Sequence, residues 1–174
     1  VLLTGIGGKS AWLEIANTLY TSEIDMCIST GLAGGLRPEH QTGDILVAER
    51  VLSAPRDIAA LSEATLVGSA VSAGAKKVPF FYTADRVALR AAEKHELGAF
   101  ADAVEMESFE VLMEAGLFAA KTVAVRAISD TVNEDLPLDF NKVTGTSGEV
   151  SMARILGQVV GAPTSIPALI RFGQ

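Results

Sequence analysis

Apolar residues recur along the chain with two alternating periods, which predicts an α/β fold. Short runs rich in branched apolar residues are typical of strands, and apolar positions three and four residues apart are typical of helices. The predicted strands are 1–5, 25–30, 43–52, 78–83, 100–106 and 121–129. The predicted helices are 10–20 (with Ser10 as N-cap), about 58–75, 85–97, 107–118 and two stretches after residue 140.

This alternation predicts a three-layer α/β/α domain with a central mixed or mostly parallel sheet. The 174 residues suffice for one domain with a sizeable core, and no repeat or linker divides them, so we expect a single domain over 1–174. The chain opens on VLLTG, which has the character of a strand already in progress. We therefore expect an N-terminal strand region to be missing from this sequence.

Composition and charge exclude several classes of function. Hydrophobic residues make up 49% and charged residues 20%, which argues against disorder. The net charge is −7 and no basic run exceeds Lys76-Lys77, so nucleic acid and anionic membrane surfaces are not expected partners. No apolar run approaches the ~20 residues that span a bilayer. With a single cysteine and no signal peptide pattern, we expect a cytoplasmic protein.

The histidines give no sign of a metal site. No pair of His, Cys or Asp residues has metal-ligand spacing. His40 and His95 stand in hydrophilic surroundings and are predicted to be surface residues.

Three segments come where predicted strands end, and ligands in α/β sheets usually bind beyond the carboxyl ends of strands. They are TGLAGG (30–35), EME (105–107) and SD (129–130). The glycines of the first segment suit either a close approach of backbone to ligand or a plain tight turn. Asp130 suits either proton transfer or an N-cap or Asx-turn in the following loop.

The acid pair Glu105 and Glu107 also has two interpretations. In a strand the two carboxylates share one face, with Met106 on the other. If Glu107 instead begins the helix, the helix dipole alone favours its charge. A carboxylate that accepts hydrogen bonds from a vicinal diol, such as that of ribose, is the functional alternative.

Taken together, the motifs resemble one superfamily. TGIGG, TGLAGG, GDILVAE, AVEMES and VRAISD follow one another in the order and approximate spacing of the nucleoside phosphorylase/nucleosidase superfamily. That superfamily includes purine nucleoside and uridine phosphorylases and methylthioadenosine/S-adenosylhomocysteine nucleosidase. The resemblance runs to about Phe140, and DRVALRAAEK and LPLDFN also look like its hopanoid-associated branch.

On the sugar side, the resemblance implies roles for four residues. Glu107 matches the glutamate that accepts hydrogen bonds from the ribose 2′- and 3′-hydroxyls, and Met106 the methionine that packs against the sugar. Glu105 and Val104 match positions that border sugar and base.

On the base side, the resemblance implies that Asp130 protonates or hydrogen-bonds purine N7, so that the base leaves as a neutral molecule. Ser129 and Arg126 match neighbours of that aspartate, and Ala33 and Gly34 match the segment that lies against the nucleoside. Such chemistry is coherent, because cleavage of the N-glycosidic bond places positive charge on the ribose and negative charge on the base.

The sequence departs from the superfamily at the nucleophile. Ser29 and Leu32 stand where phosphorylases carry an arginine and a Ser or Thr for phosphate, so hydrolysis is favoured, with phosphate as the alternative co-substrate. Nothing in residues 1–10 matches the glutamate that activates water, so we expect that residue upstream of Val1. Val87 occupies the position of the aromatic residue that stacks on the base, with Phe80, Phe81 or Tyr82 as alternative stacking residues.

The sequence therefore predicts an enzyme that cleaves the N-glycosidic bond of a purine nucleoside or adenosyl compound without metal or organic cofactor. The resemblance implies a homo-oligomer, either a dimer or a ring of dimers. The alternative is a non-catalytic nucleoside-binding or regulatory domain that has lost the nucleophile machinery. A dinucleotide-binding domain is disfavoured, because the sequence lacks the GxGxxG fingerprint.

Overall fold

Six strands and four helices form the described part of the chain. The computed structural model describes residues 1–4, 7–53 and 56–136, without the side chains of 56 and 57. The helices are α1 Gly8–Thr21, α2 Ala64–Ser72, α3 Ala91–Leu97 and α4 Ser108–Leu117. The strands are β1 Met26–Gly35, β2 Ile45–Ser53, β3 Arg56–Leu61, β4 Lys76–Thr83, β5 Ala103–Glu105 and β6 Lys121–Asp130.

The strands form one mixed sheet in the order β3-β2-β4-β5-β1-β6. Strands β1 and β6, β2 and β4, and β4 and β5 are parallel, whereas β5 runs antiparallel to β1, and β2 runs antiparallel to β3 and β6. The predicted mixed α/β sheet is confirmed. Because β2 also pairs with β6, the sheet closes into a five-strand ring with β3 outside it, which the sequence did not predict. Closure gives both ends of the five-strand series a hydrogen-bonded neighbour.

The main core lies where the strands meet α1 and α4. Its members come from both helices and from most strands, and they include Ala11, Ile15, Leu46, Val51, Phe81, Phe109, Leu112, Ala124 and Ile128. Along β6 every second residue from Thr122 to Asp130 is buried, as the period of a strand requires. This buried series includes two charged residues, Arg126 and Asp130, so one strand contributes to both the core and the polar site.

Several predicted boundaries are wrong. Residues 1–4 form no strand, and Val1 and Leu3 are exposed. Helix α1 has Gly7, with φ of 99°, rather than Ser10 at its N-cap. The predicted helices after residue 140 lie outside the described residues.

Two predicted helices are shorter in the structure than in the prediction. The alanine-rich segment from about residue 58 begins as β3, because hydrogen bonding to the neighbouring β2 overrides the helical preference of alanine. The helix predicted over 85–97 begins only at Ala91.

The two histidines differ in burial. His95 is exposed, as predicted. His40 is only 5% exposed, so its prediction as a surface residue is wrong. Its Nε2 lies 3.6 Å from Oδ1 of Asp102, which supplies a polar neighbour that the local sequence did not reveal.

Among the described residues, no helix is long and apolar enough to cross a membrane.

Gly98, which follows α3, supports a sharp stability prediction. A Cβ at this position would lie 2.3 Å from the carbonyl oxygen of Leu36, a backbone atom that cannot swing away. We expect Gly98→Ala to lower the free energy of unfolding by about 1–3 kcal/mol in urea titrations.

Gly68→Ala is the matched control. Gly68 lies within α2, and a Cβ there meets no atom within 4 Å. Alanine should stabilise this helix by roughly 0.5–1 kcal/mol. Equal stabilities for Gly98→Ala and the unmodified protein would contradict the close approach to Leu36.

Candidate active site

The predicted site residues gather where β1 lies between β5 and β6. Gly34 of β1 is in register with Val104 of β5 and, across a bulge, with Asp130 of β6. A Cβ on Gly34 would lie 3.2 Å from Oδ2 of Asp130 and 3.3 Å from Cγ1 of Val104. The absence of a side chain at Gly34 therefore lets a carboxylate and a valine pack against the middle strand.

The directions of the strands differ from the expected arrangement of three loops. TGLAGG and SD lie within β1 and β6, which run parallel to each other. The EME segment begins at Glu105, the last residue of β5, and β5 runs antiparallel to β1. The site therefore lies along the paired strands and not beyond a shared set of carboxyl ends.

Asp130 is the last residue of β6 and is 4% exposed. Its Oδ1 accepts a hydrogen bond of 2.6 Å from Ser129 Oγ, and its Oδ2 contacts the ammonium group of Lys94. Ser129 Oγ also lies 3.2 Å from the carbonyl oxygen of Ala33. These contacts bring four predicted residues (Asp130, Ser129, Ala33 and Gly34) into one group.

Lys94 is a component that the sequence reasoning missed. This lysine of α3 is fully buried and also donates to the carbonyl oxygens of Thr131 (3.0 Å) and Glu134 (2.8 Å). The sequence did contain an indication of its burial. Lys94 precedes Leu97 by three residues, so the two share a helix face, and Leu97 packs against the core. A lysine on an apolar face requires a buried acceptor.

The second group centres on Arg126, which is 2% exposed. Its Nη2 lies 2.6 Å from Oε2 of Glu105, 3.2 Å from Ser29 Oγ and 3.5 Å from Oε2 of Glu107. The two glutamates of the EME segment therefore reach one guanidinium group. Gly31 leaves room for it, because a Cβ there would lie 3.3 Å from Nη1.

Glu105 holds this part of the fold together. Besides Arg126, its carboxylate accepts the backbone N–H groups of Glu107 (3.0 Å) and Ser108 (2.7 Å) and contacts the hydroxyl of Thr83. Four donors therefore occupy its two oxygens. Of the pair expected beside sugar and base, Val104 is buried in a small apolar cluster, and the Glu105 carboxylate is already engaged by its four donors.

Glu107 is the more accessible acid of the pair, with a side chain 19% exposed. It is the N-cap residue of α4 but makes no side-chain capping bond. Instead its Oε1 accepts the backbone N–H of Gly7 at 2.8 Å. Burial, and then the charge of Glu105, raise the pKa of Glu107, against the opposing effects of the Gly7 N–H and Arg126. Met106, between the two glutamates, is half-buried.

The two groups lie along one face of β6. Arg126 and Asp130 are four residues apart on its buried side, a separation of about 13 Å at the rise of a strand. The Asp130 group and the Arg126 group therefore occupy different positions along this strand.

The aromatic residues near the site separate into two groups. Phe81 is fully buried in the main core, which removes it as a stacking residue. Phe80 and Tyr82 pack instead in the small apolar cluster that contains Val104.

In the described ranges no three His, Cys, Asp or Glu side chains are grouped to hold a metal ion.

In sequence and in fold, the chain is similar to known nucleosidases. No model of a known protein family matches the chain. The chain is 26% identical, over 92% of its own length and 80% of the relative, to the 5′-methylthioadenosine/S-adenosylhomocysteine nucleosidase of Marinomonas sp. (strain MWYL1).

Solved structures of nucleosidases share the fold. The same enzyme from Neisseria meningitidis, in complex with methylthio-immucillin-A, matches with a TM-score of 0.69 and 24% identity over 80% of this chain and 71% of that one. The Helicobacter pylori enzyme, with butyl-thio-DADMe-Immucillin-A, matches with a TM-score of 0.71 and 22% identity over 91% and 77%. The chain is therefore similar in sequence to a curated nucleosidase and has the fold of solved nucleosidase structures.

Proposed function

We propose that this protein hydrolyses the N-glycosidic bond of a purine nucleoside or adenosyl compound. The observation that carries the proposal is the placement of two acids in different settings on one face of the sheet. Asp130 lies between Ser129 and Lys94, and Glu107 lies beside Arg126 with part of its side chain accessible. The Marinomonas relative is a nucleosidase, and the Neisseria meningitidis enzyme is in complex with a nucleoside analogue, which supports this class of substrate.

Each acid serves one end of the breaking bond. As the bond between C1′ and the base nitrogen breaks, its electron pair moves onto the base, and a proton from Asp130 at N7 neutralises the developing negative charge. The ribose becomes cationic, and Glu107 accepts hydrogen bonds from its 2′- and 3′-hydroxyls. Water adds its oxygen to C1′ and loses a proton to a base that is not among the described residues.

Two observations favour water over phosphate as the nucleophile. Ser29, at the position of the phosphorylase arginine, bonds to Ser108 Oγ at 3.1 Å and to Arg126. Leu32, at the Ser or Thr position, is exposed and offers no donor.

Adenosine and methylthioadenosine should therefore lose their base at equal rates with and without phosphate. Release only with phosphate would indicate phosphorolysis, and binding without release would indicate the non-catalytic alternative.

The remaining parts of the proposal concern the setting of the enzyme. Its chemistry uses side chains and water, so no metal or organic cofactor is required. A homo-oligomer, a dimer or a ring of dimers, and a cytoplasmic location follow from the superfamily resemblance and the single cysteine.

Asp130→Asn tests the acid. Asparagine keeps the size of the side chain but cannot supply a carboxylic proton, so kcat for methylthioadenosine should fall by about 100-fold or more, with KM changed little. Asp25→Asn, at an exposed aspartate before β1, is the control and should keep full activity. Unchanged turnover in Asp130→Asn would remove Asp130 as the acid.

Glu107→Gln tests the sugar contact. Hydrogen bonds to a charged acceptor contribute about 1.5–3 kcal/mol, so kcat/KM should fall roughly 10- to 150-fold, with both kcat and KM affected. The loss should be smaller for the 2′-deoxy substrate, which lacks one of the two hydroxyls. Glu49→Gln changes an exposed glutamate and should have no effect.

The pH dependence gives a second measure of Glu107. Its raised pKa means that protonation, which removes the charged acceptor, begins at a higher pH than for an ordinary glutamate. As the pH is lowered, kcat/KM should therefore begin to fall at a pH above the pKa range of an ordinary glutamate. The native state holds this proton more tightly than the unfolded chain does. The contribution of Glu107 to stability therefore falls as the pH rises through the raised pKa of Glu107. An identical acidic decline in Glu107→Gln would contradict the assignment.

A further inference from the structure

Lys94 is a buried charge to which the superfamily resemblance gives no role. Its side chain is fully buried, and its three acceptors are Asp130 Oδ2 and the carbonyl oxygens of Thr131 and Glu134. These three acceptors match the three N–H groups of an ammonium ion. Burying an ammonium ion is unfavourable unless it is paired and hydrogen-bonded. An apolar side chain could fill the same space without this cost, so packing alone does not explain a lysine at this position.

The lysine holds one side of the Asp130 carboxylate. Lys94 contacts Oδ2, Ser129 Oγ donates to Oδ1, and Gly34 lets β1 approach Oδ2 closely. With both oxygens engaged and a strand packed beside them, the carboxylate has little freedom to rotate. Two other lysine–carboxylate pairs, those of Lys76 and Lys77, have lysine side chains that are more than half exposed.

We propose that Lys94 is a positioning residue for leaving-group activation, acting through Asp130. This inference rests on the proposed function. When the bond from C1′ to the base breaks, its electrons move to the base and the proton of Asp130 moves to N7. Asp130, which takes up this proton from solvent before the bond breaks, is left as a carboxylate, and the Lys94 ammonium, which keeps its own protons, stabilises that negative charge as it develops.

A structural role alone would have different consequences. Lys94 also joins α3 to the segment after β6 through Thr131 and Glu134. If that were its whole contribution, its loss would impair every substrate alike. A role in leaving-group activation impairs only substrates whose leaving group must be protonated.

Lys94→Met, assayed with two substrates, separates these roles. With methylthioadenosine, whose base must gain a proton, kcat should fall by about 100-fold and KM should change less than about threefold. With 4-nitrophenyl riboside, whose leaving group departs as a stable anion, the rate should stay within about threefold of the unmodified protein. In the Asp130→Asn background, Lys94→Met should cause no further loss with methylthioadenosine.

Two further variants complete the experiment. Lys77→Met removes an exposed lysine from its pair with Glu49 and should leave both rates unchanged. Lys94→Gln keeps a donor without the charge, so it should show the same selective loss and replaces Lys94→Met if circular dichroism shows the latter to be unfolded.

Each outcome decides between the hypotheses. Equal losses with the two substrates, or no loss with either, would overturn the inference and leave the proposed function intact. Failure of the unmodified protein to release base from any nucleoside would overturn the proposed function itself.

Discussion

The ion pair between Arg126 and Glu105 is the interaction on which the site depends. It joins β6 to the end of β5 at 2.6 Å, and the same Glu105 carboxylate accepts the N–H groups that begin α4. Removing either partner would leave a buried unpaired charge, a change that typically costs about 3–5 kcal/mol. Strand, helix start and guanidinium are therefore fixed together, and the position of Glu107 follows from them.

A second constraint is the packing of β1 between its neighbours. Gly31 leaves room for the Arg126 guanidinium, and Gly34 leaves room for Asp130 and Val104. The glycines of TGLAGG therefore work within a strand, where the missing side chains admit the polar groups of two adjacent strands. The closed ring brings β2 to the other side of β6, so the strand that carries both Arg126 and Asp130 has hydrogen-bonded neighbours on both sides.

The sequence predicted the strands of the sheet and the segments of the site better than their connections. The apolar runs of β4 and β6 predicted these strands from local pattern alone. Glu107 and Asp130 were predicted as site residues because their motifs resemble those of a known superfamily. Ring closure and the antiparallel course of β5 rest on pairings between distant segments, which no local pattern encodes. The same holds for β3, whose alanines favour a helix until β2 supplies hydrogen-bonding partners.

Side-chain partnerships were the hardest feature to predict. The acceptors of Lys94 lie more than thirty residues away, and the buried His40 lies 3.6 Å from Asp102, a residue distant in sequence. By contrast, Glu105 accepts from backbone N–H groups two and three residues ahead, and Asp130 accepts from the residue before it, so these partners lie close in sequence.

The central claim is that Asp130 and Glu107 bind opposite ends of one nucleoside. A crystal structure of the protein with methylthio-immucillin-A, the analogue in complex with the Neisseria meningitidis enzyme, tests it most directly. The Asp130 carboxylate should lie within about 2.6–3.2 Å of the N7 position of the base, and the Glu107 carboxylate at similar distances from both ribose hydroxyls. An analogue bound elsewhere, or in contact with only one of the two acids, would contradict it.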